Sequence, residues 1–139
     1  MTAFDADILS DIWAKREPYH SRARAIPLAE QAIPLITAEG IIRGRFNEIR
    51  KAEAGRSKAG LVEAYSRLQE SLTAIAGSQV LPYSDAAHAF VLAWKAAKIK
   101  VAPHDMRIAA IALSSGCTLV TRNARHFKLL PGLKFDIWH

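Results

Sequence analysis

The chain has 139 residues, half of them hydrophobic, with 19 Lys and Arg against 13 Asp and Glu and a formal net charge of +6. That length suits a single domain with one core, and charge spread along the chain without a low-complexity tract excludes extended disorder. No window approaches about 18 consecutive apolar residues, and a lone Cys117 excludes an internal disulfide framework or a thiolate zinc cluster.

The opening stretch MTAFDADILSD carries acids where a signal peptide would carry Lys or Arg. A soluble, cytoplasmic protein without membrane partners is therefore expected. The surplus of positive charge favours a polyanionic or acidic partner.

In chain order, residues 1–4 read as a short strand ending at Asp5, and residues 8–13 begin a helix with Asp7 near its start. Residues 18–31 look weakly helical, interrupted by Pro27. Residues 33–36 read as a second strand. Thr37 then stands as the N-cap of a helix over residues 38–53, in which Ile42, Phe46 and Ile49 share one face. GRSKAG, residues 55–60, is a turn. Beyond it Leu61, Tyr65, Leu68, Leu72 and Ile75 recur at steps of four and three, an amphipathic stripe that completes an αα-hairpin.

SQVLPY supplies a third strand, and Ser84 with Asp85 caps a helix carrying Phe90, Val91 and Trp94. Pro103 or His104 opens the next helix, which stops at Gly116. CTLVT reads as a buried strand ending at Thr121, RNARHF as a turn or short helix, and LKFDIW as a last strand. Strands alternating with helices, with no hairpin turn between them, indicate an α/β fold with a parallel sheet covered on both faces.

In open parallel sheets ligands bind beyond the carboxyl ends of the strands. Asp5 and Asp7 follow the first strand, Glu39 follows the second, and Thr121, Arg122 and Asn123 follow the fourth. Asp105, in the first turn of the preceding helix, reaches the same edge if the sheet is wound around its first strand. Acids gathered there repel one another unless a cation sits among them. Hard oxygen donors without neighbouring cysteine or paired histidine suit Mg²⁺ or Mn²⁺. Such ions serve phosphodiester hydrolysis, and Arg43, Arg45, Arg50, Lys51, Arg107, Arg122 and Arg125 would then hold a nucleic-acid backbone. The plainer reading is that Asp7, Asp105 and Glu39 sit where helix N-termini favour acids, and that the arginines form a solvated face.

Gly40 is out of place in this pattern. With Thr37 as N-cap, the capping box expects Glu or Gln at position 40, and glycine weakens a helix interior by roughly 1 kcal/mol relative to Ala.

HDMRIAAIALSSGCTLVTRNARHFKLLPGL followed by FDIW resembles the C-terminal third of PIN-domain ribonucleases of the VapC toxin type. FDADILS resembles that family's opening acid motif, and ITAEGIIRGRFNEIRKA its central acid-bearing helix. The resemblance implies a three-layer α/β/α fold over residues 1–139, with a mainly parallel central sheet and a protruding αα-hairpin. It also implies a Mg²⁺-dependent endoribonuclease, the toxin of a toxin–antitoxin pair, that forms a homodimer and is held inactive by a cognate VapB-type antitoxin. By position, Asp5 and Asp105 match the family's metal-binding acids, with Asp7 as an outer ligand. Asn123 and Thr121 match the polar group after the fourth strand, and Glu39 assists. Arg43, Arg107, Thr121, Arg122 and His126 are the expected substrate contacts.

Two departures stand out. The family's central acid lies four residues before the glycine of E-x-x-x-G, and counting back from Gly44 lands on Gly40, so position 40 lacks an expected glutamate. His126 stands where an Asp usually follows. Both departures support an alternative, a catalytically weak or inactive PIN-like module that binds RNA or an antitoxin without cutting. A dinucleotide-binding enzyme is disfavoured because no G-x-G-x-x-G follows the first strand.

Overall fold

A computed structural model describes residues 1–139. Five short strands form the centre: β1 (Thr2–Phe4), β2 (Gln31–Pro34), β3 (Val80–Leu81), β4 (Thr118–Thr121) and β5 (Phe135–Ile137). They lie in the order β3-β2-β1-β4-β5 and every pairing is parallel. The first strand of the chain is thus the middle of the sheet.

Side chains alternate across such a strand, and that alternation divides the core in two. Ala3, Ala32 and Leu119 face one side, where they meet Val91 and Trp94 of α5 (Asp85–Ala96), Met106 and Ile108–Ala112 of α6 (Pro103–Ser114), and Phe127 of α7 (Ala124–Phe127). Phe4, Ile33 and Val120 face the other side. They pack on Ile8 and Leu9 of α1 (Ala6–Trp13), Ala23 of α2 (Tyr19–Arg24), Ala38 and Ile41 of α3 (Leu35–Glu53), and Trp138. The result is the expected α/β/α sandwich. Ile108, Ala109, Ala110, Ile111 and Ala112 are all fully buried. A helix apolar all round belongs inside, and the small side chains of Ala3 and Ala32 give it room beside the sheet.

Gly116, at φ +68°, closes α6 in the left-handed conformation that follows many helix ends. Ser84 caps α5, accepting from Ala87 N–H at 3.2 Å.

Three expectations need correction. The second strand is 31–34 and α3 follows directly from Leu35, so Thr37 lies inside the first turn and is not the N-cap, a place held by Pro34. The fully buried Thr37 hydroxyl donates instead to the carbonyl of Phe4 at 3.1 Å. The capping-box argument for a glutamate at position 40 therefore falls. Residues 18–31 are not one weak helix but α2, a 3-10 turn at Leu28–Glu30 and the start of β2.

The third correction concerns the αα-hairpin of α3 and α4 (Leu61–Ala76). The buried residues of α4 are Ala64 and Ser71, whereas Leu61, Tyr65 and Leu72 of the expected stripe are exposed. Small residues at the contact let the two helices approach closely. Arg45 ties them further, donating to Ser71 Oγ at 2.9 Å while pairing with Glu48 at 2.9 Å.

Candidate active site

The carboxyl edge of the sheet is built around Asp5. Immediately after β1 it turns the chain into α1, and its Oδ1 accepts the Ala6 N–H at 2.8 Å as a helix cap. Its own N–H donates to the carbonyl of Val120 at 3.0 Å, extending the central ladder by one residue. Oδ2 accepts from the buried Thr121 hydroxyl at 2.9 Å, and Thr121 Oγ1 in turn accepts the Asn123 N–H at 3.1 Å. Asn123 caps α7, accepting from Arg125 N–H. Thr121 and Asn123 thus join Asp5 in one hydrogen-bonded chain.

Burial pushes the Asp5 carboxyl above its usual range; the bonds from Ala6 and Thr121 pull it down, and the charges of Asp105 and Asp7 push it up again. Asp105 sits half-buried in the first turn of α6, and Asp7 sits exposed in the first turn of α1. Three elements therefore bring negative charge to one place.

Glu39 does not join them. It lies on the outer side of α3, half-exposed, paired with Arg43 at 2.6 Å. With Leu35, Ile42, Phe46, Leu72 and Ile75 it lines a groove between α3 and α4. Position 40 faces the other way, toward the start of α6: a Cβ on Gly40 would lie 3.1 Å from His104 Nε2 and 3.4 Å from Cε1. One residue therefore separates the outer groove from the neighbour of Asp105.

The expected substrate contacts also divide. Arg107 is exposed on α6, and His126 is half-buried in α7. Arg43 is occupied by Glu39. Arg122 turns inward, pairing with the buried carboxylate of Asp11 and lying over the Tyr19 ring at 4.8 Å from its centroid. Asp11 also binds Arg16 at 2.9 Å. A guanidinium clamped in this way holds the turn after β4 against α1. In the sequence Asp11 looks like one more polar position of an amphipathic helix, and nothing local marks its partner.

No three His, Cys, Asp or Glu side chains come close enough together to cage an ion. Mg²⁺, however, keeps several waters and is commonly held by one or two carboxylates plus substrate phosphate. Two mutually repelling, half-buried acids, Asp5 and Asp105, fit that mode of binding. A cavity of about 640 Å³ opens elsewhere, between α1, α2, β2 and the residues before β3, and includes none of these acids.

A parallel five-stranded sheet centred on β1, covered by helices on both faces and with its acids at the carboxyl edge, defines the class as an α/β/α fold. Chains of solved complexes share this fold over nearly their whole length. In the DNA-bound VapBC complex from Salmonella typhimurium the TM-score is 0.76 at 23% identity, covering 99% of this chain and 98% of that one. For VapBC2 from Rickettsia felis, bound to a promoter DNA fragment, the values are 0.72 and 20%, covering 99% and 98%. FitAcB from Neisseria gonorrhoeae gives 0.72 and 20%, covering 100% and 99%. No family model and no curated protein sequence matches the chain. The likeness is one of fold, and no helix is long and apolar enough to cross a membrane.

Proposed function

We propose that the protein is a metal-dependent endoribonuclease, the toxin of a toxin–antitoxin pair with a VapB-type partner. The observation that carries this reading is that Asp105 and Asp7 lie near enough to the half-buried Asp5 carboxyl, at the carboxyl edge of a PIN-type sheet, for their charges to act on it. Asp5 and Asp105 would hold Mg²⁺ or Mn²⁺, with Asp7 as an outer ligand. When bound, the ion supplies an activated water and neutralises charge on the phosphodiester. Thr121 fixes the Asp5 carboxylate by its hydrogen bond, and Asn123 keeps Thr121 in place. The likeness to chains of VapBC complexes and of a toxin–antitoxin complex from Klebsiella pneumoniae supports the partner class. A second copy of the chain is the other partner this reading includes.

The test is cleavage of a structured RNA with added Mg²⁺ or Mn²⁺. Asp5→Asn and Asp105→Asn are expected to abolish it. Absence of both cleavage and Mn²⁺ binding, in the unaltered chain and in Gly40→Glu alike, would sink the proposal.

The second reading, a PIN-like module that binds without cutting, is favoured by the missing acid at position 40 and by the engagement of Glu39 with Arg43. Growth arrest on expression separates the two, because only a nuclease arrests growth in a manner lost in Asp5→Asn.

A further inference from the structure

The first turn of α6 carries two functional-looking side chains, Asp105 and His104, and the ribonuclease reading uses only the first. His104 is half-buried, and no hydrogen bond or ion pair to another protein group engages its imidazole, whereas Asp5, Thr121, Arg122 and Asn123 at this edge are engaged. The ring lies over Gly40, with Nε2 at 3.1 Å from where a Cβ would stand. That separation is tighter than ordinary van der Waals contact. A side chain at position 40 and the imidazole in its present place therefore compete for one volume.

We propose that His104 is a substrate-binding residue of the acid edge, whose imidazole contacts an RNA phosphate from the space that Gly40 leaves open. The inference rests on the ribonuclease reading and assigns a substrate contact within it. A carboxylate at position 40 would offer only acceptors, suited to a cation, whereas an imidazole offers an N–H, suited to a phosphate oxygen. An RNA phosphate supplies the acceptor oxygens that such a donor needs. The net charge of +6 and the exposed Arg107 one turn along α6 fit the same ligand.

The exchange also explains what Gly40 does. Glycine at that point removes the Cβ that would push the ring aside, so glycine at 40 and histidine at 104 form one arrangement. Gly40→Glu then trades one function for another: it adds an ion ligand and displaces a phosphate contact.

The experiment measures binding without metal. A fluorescent single-stranded RNA is titrated with the full chain in EDTA, and Mn²⁺ binding to the metal-free protein is followed by calorimetry, for the unaltered protein, His104→Ala, His104→Gln and Gly40→Glu. His104→Ala is expected to weaken RNA binding roughly tenfold, the usual loss for one charge-assisted hydrogen bond, with Mn²⁺ affinity and melting temperature unchanged. His104→Gln, which keeps an N–H donor, restores most of the RNA affinity. Gly40→Glu weakens RNA binding and strengthens Mn²⁺ binding.

Unchanged RNA affinity in His104→Ala overturns the inference. So does a parallel fall in RNA and Mn²⁺ affinity, or a failure of glutamine to rescue. The underlying reading fails separately: RNA bound through His104 but never cut with Mg²⁺ or Mn²⁺ removes the nuclease and leaves the contact. Cleavage with normal RNA binding by His104→Ala does the reverse.

Discussion

Replacing Gly40 by alanine places one methyl group in the contact between α3 and α6, and its effect on stability is calculable in two parts. Gly40 is the sixth residue of a nineteen-residue helix, well inside it, so alanine gains about 0.5–1 kcal/mol from reduced backbone freedom in the unfolded chain. Against this stands the new Cβ at 3.1 Å from His104 Nε2. The neighbour is the far end of a half-buried side chain that no other protein group holds, so it yields by a few tenths of an ångström at a cost of about 0.5 kcal/mol, the size of a small rotamer displacement. The net gain is then near zero to about 0.5 kcal/mol in the unaltered protein. In a His104→Ala background the opposing contact is gone, and the full gain of about 0.5–1 kcal/mol should appear, raising the melting temperature by roughly 2–4 °C for a chain of this size. Thermal and urea unfolding of the four proteins in the cycle, followed by circular dichroism, give the coupling directly. Equal effects of Gly40→Ala in both backgrounds would refute the contact. Destabilisation in the His104→Ala background would refute the claim that position 40 is otherwise an ordinary helical site.

Asp5→Asn should stabilise the metal-free protein at neutral pH while abolishing the proposed RNA cleavage. The folded-state pKa of Asp5 lies above its unfolded value of 3.8, so the fold favours the neutral form; that advantage is present below 3.8 and is lost as pH rises through the folded value. The difference between Asp5→Asn and the unaltered protein in urea therefore widens upward from pH 3.8 and then levels off, and a difference that narrows with rising pH contradicts the burial of the charge. Asp11→Ala should cost about 1–3 kcal/mol, less than the 3–5 typical of fully buried pairs, because Arg122 and Arg16 are 42% and 72% exposed while Asp11 is only 5% exposed. An unchanged urea midpoint would show that the clamp on the turn after β4 contributes nothing. Thr37→Val preserves shape and deletes the hydroxyl that bonds the Phe4 carbonyl, for an expected loss of about 1 kcal/mol with no change in urea slope; a stability-neutral variant would mean that α3 is held to β1 by packing alone.

The sheet was legible because most of its strands are short apolar runs bounded by turn residues, and its parallel sense follows from the helices between the runs. Asp5 and Asp105 were legible for a related reason, since a strand's carboxyl end and a helix's first turn are local features. Thr37 misled because a strand that passes into a helix without a linker leaves no turn residue to mark the boundary, and its hydroxyl bonds across the fold rather than along the chain. The α4 stripe misled because periodicity identifies a face but not how closely a neighbour approaches. Ala64 and Ser71 admit α3 closely and leave Leu61, Tyr65 and Leu72 outside. Asp11 was illegible for the simplest reason: its partner Arg122 lies at the far end of the chain. Glu39 and position 40 are one residue apart, and only the rotation of α3 assigns one to the outer groove and the other to the site.

The strand order has a consequence for synthesis. Ribosomes make the centre of this sheet first, and β1 emerges with neither of its lasting neighbours. Its second neighbour, β4, is made only after β2, β3 and six helices have been synthesised. Until then Asp5 has no Val120 carbonyl to bond and no Thr121 hydroxyl to orient its carboxylate. The acid edge therefore exists in no nascent chain that stops short of β4.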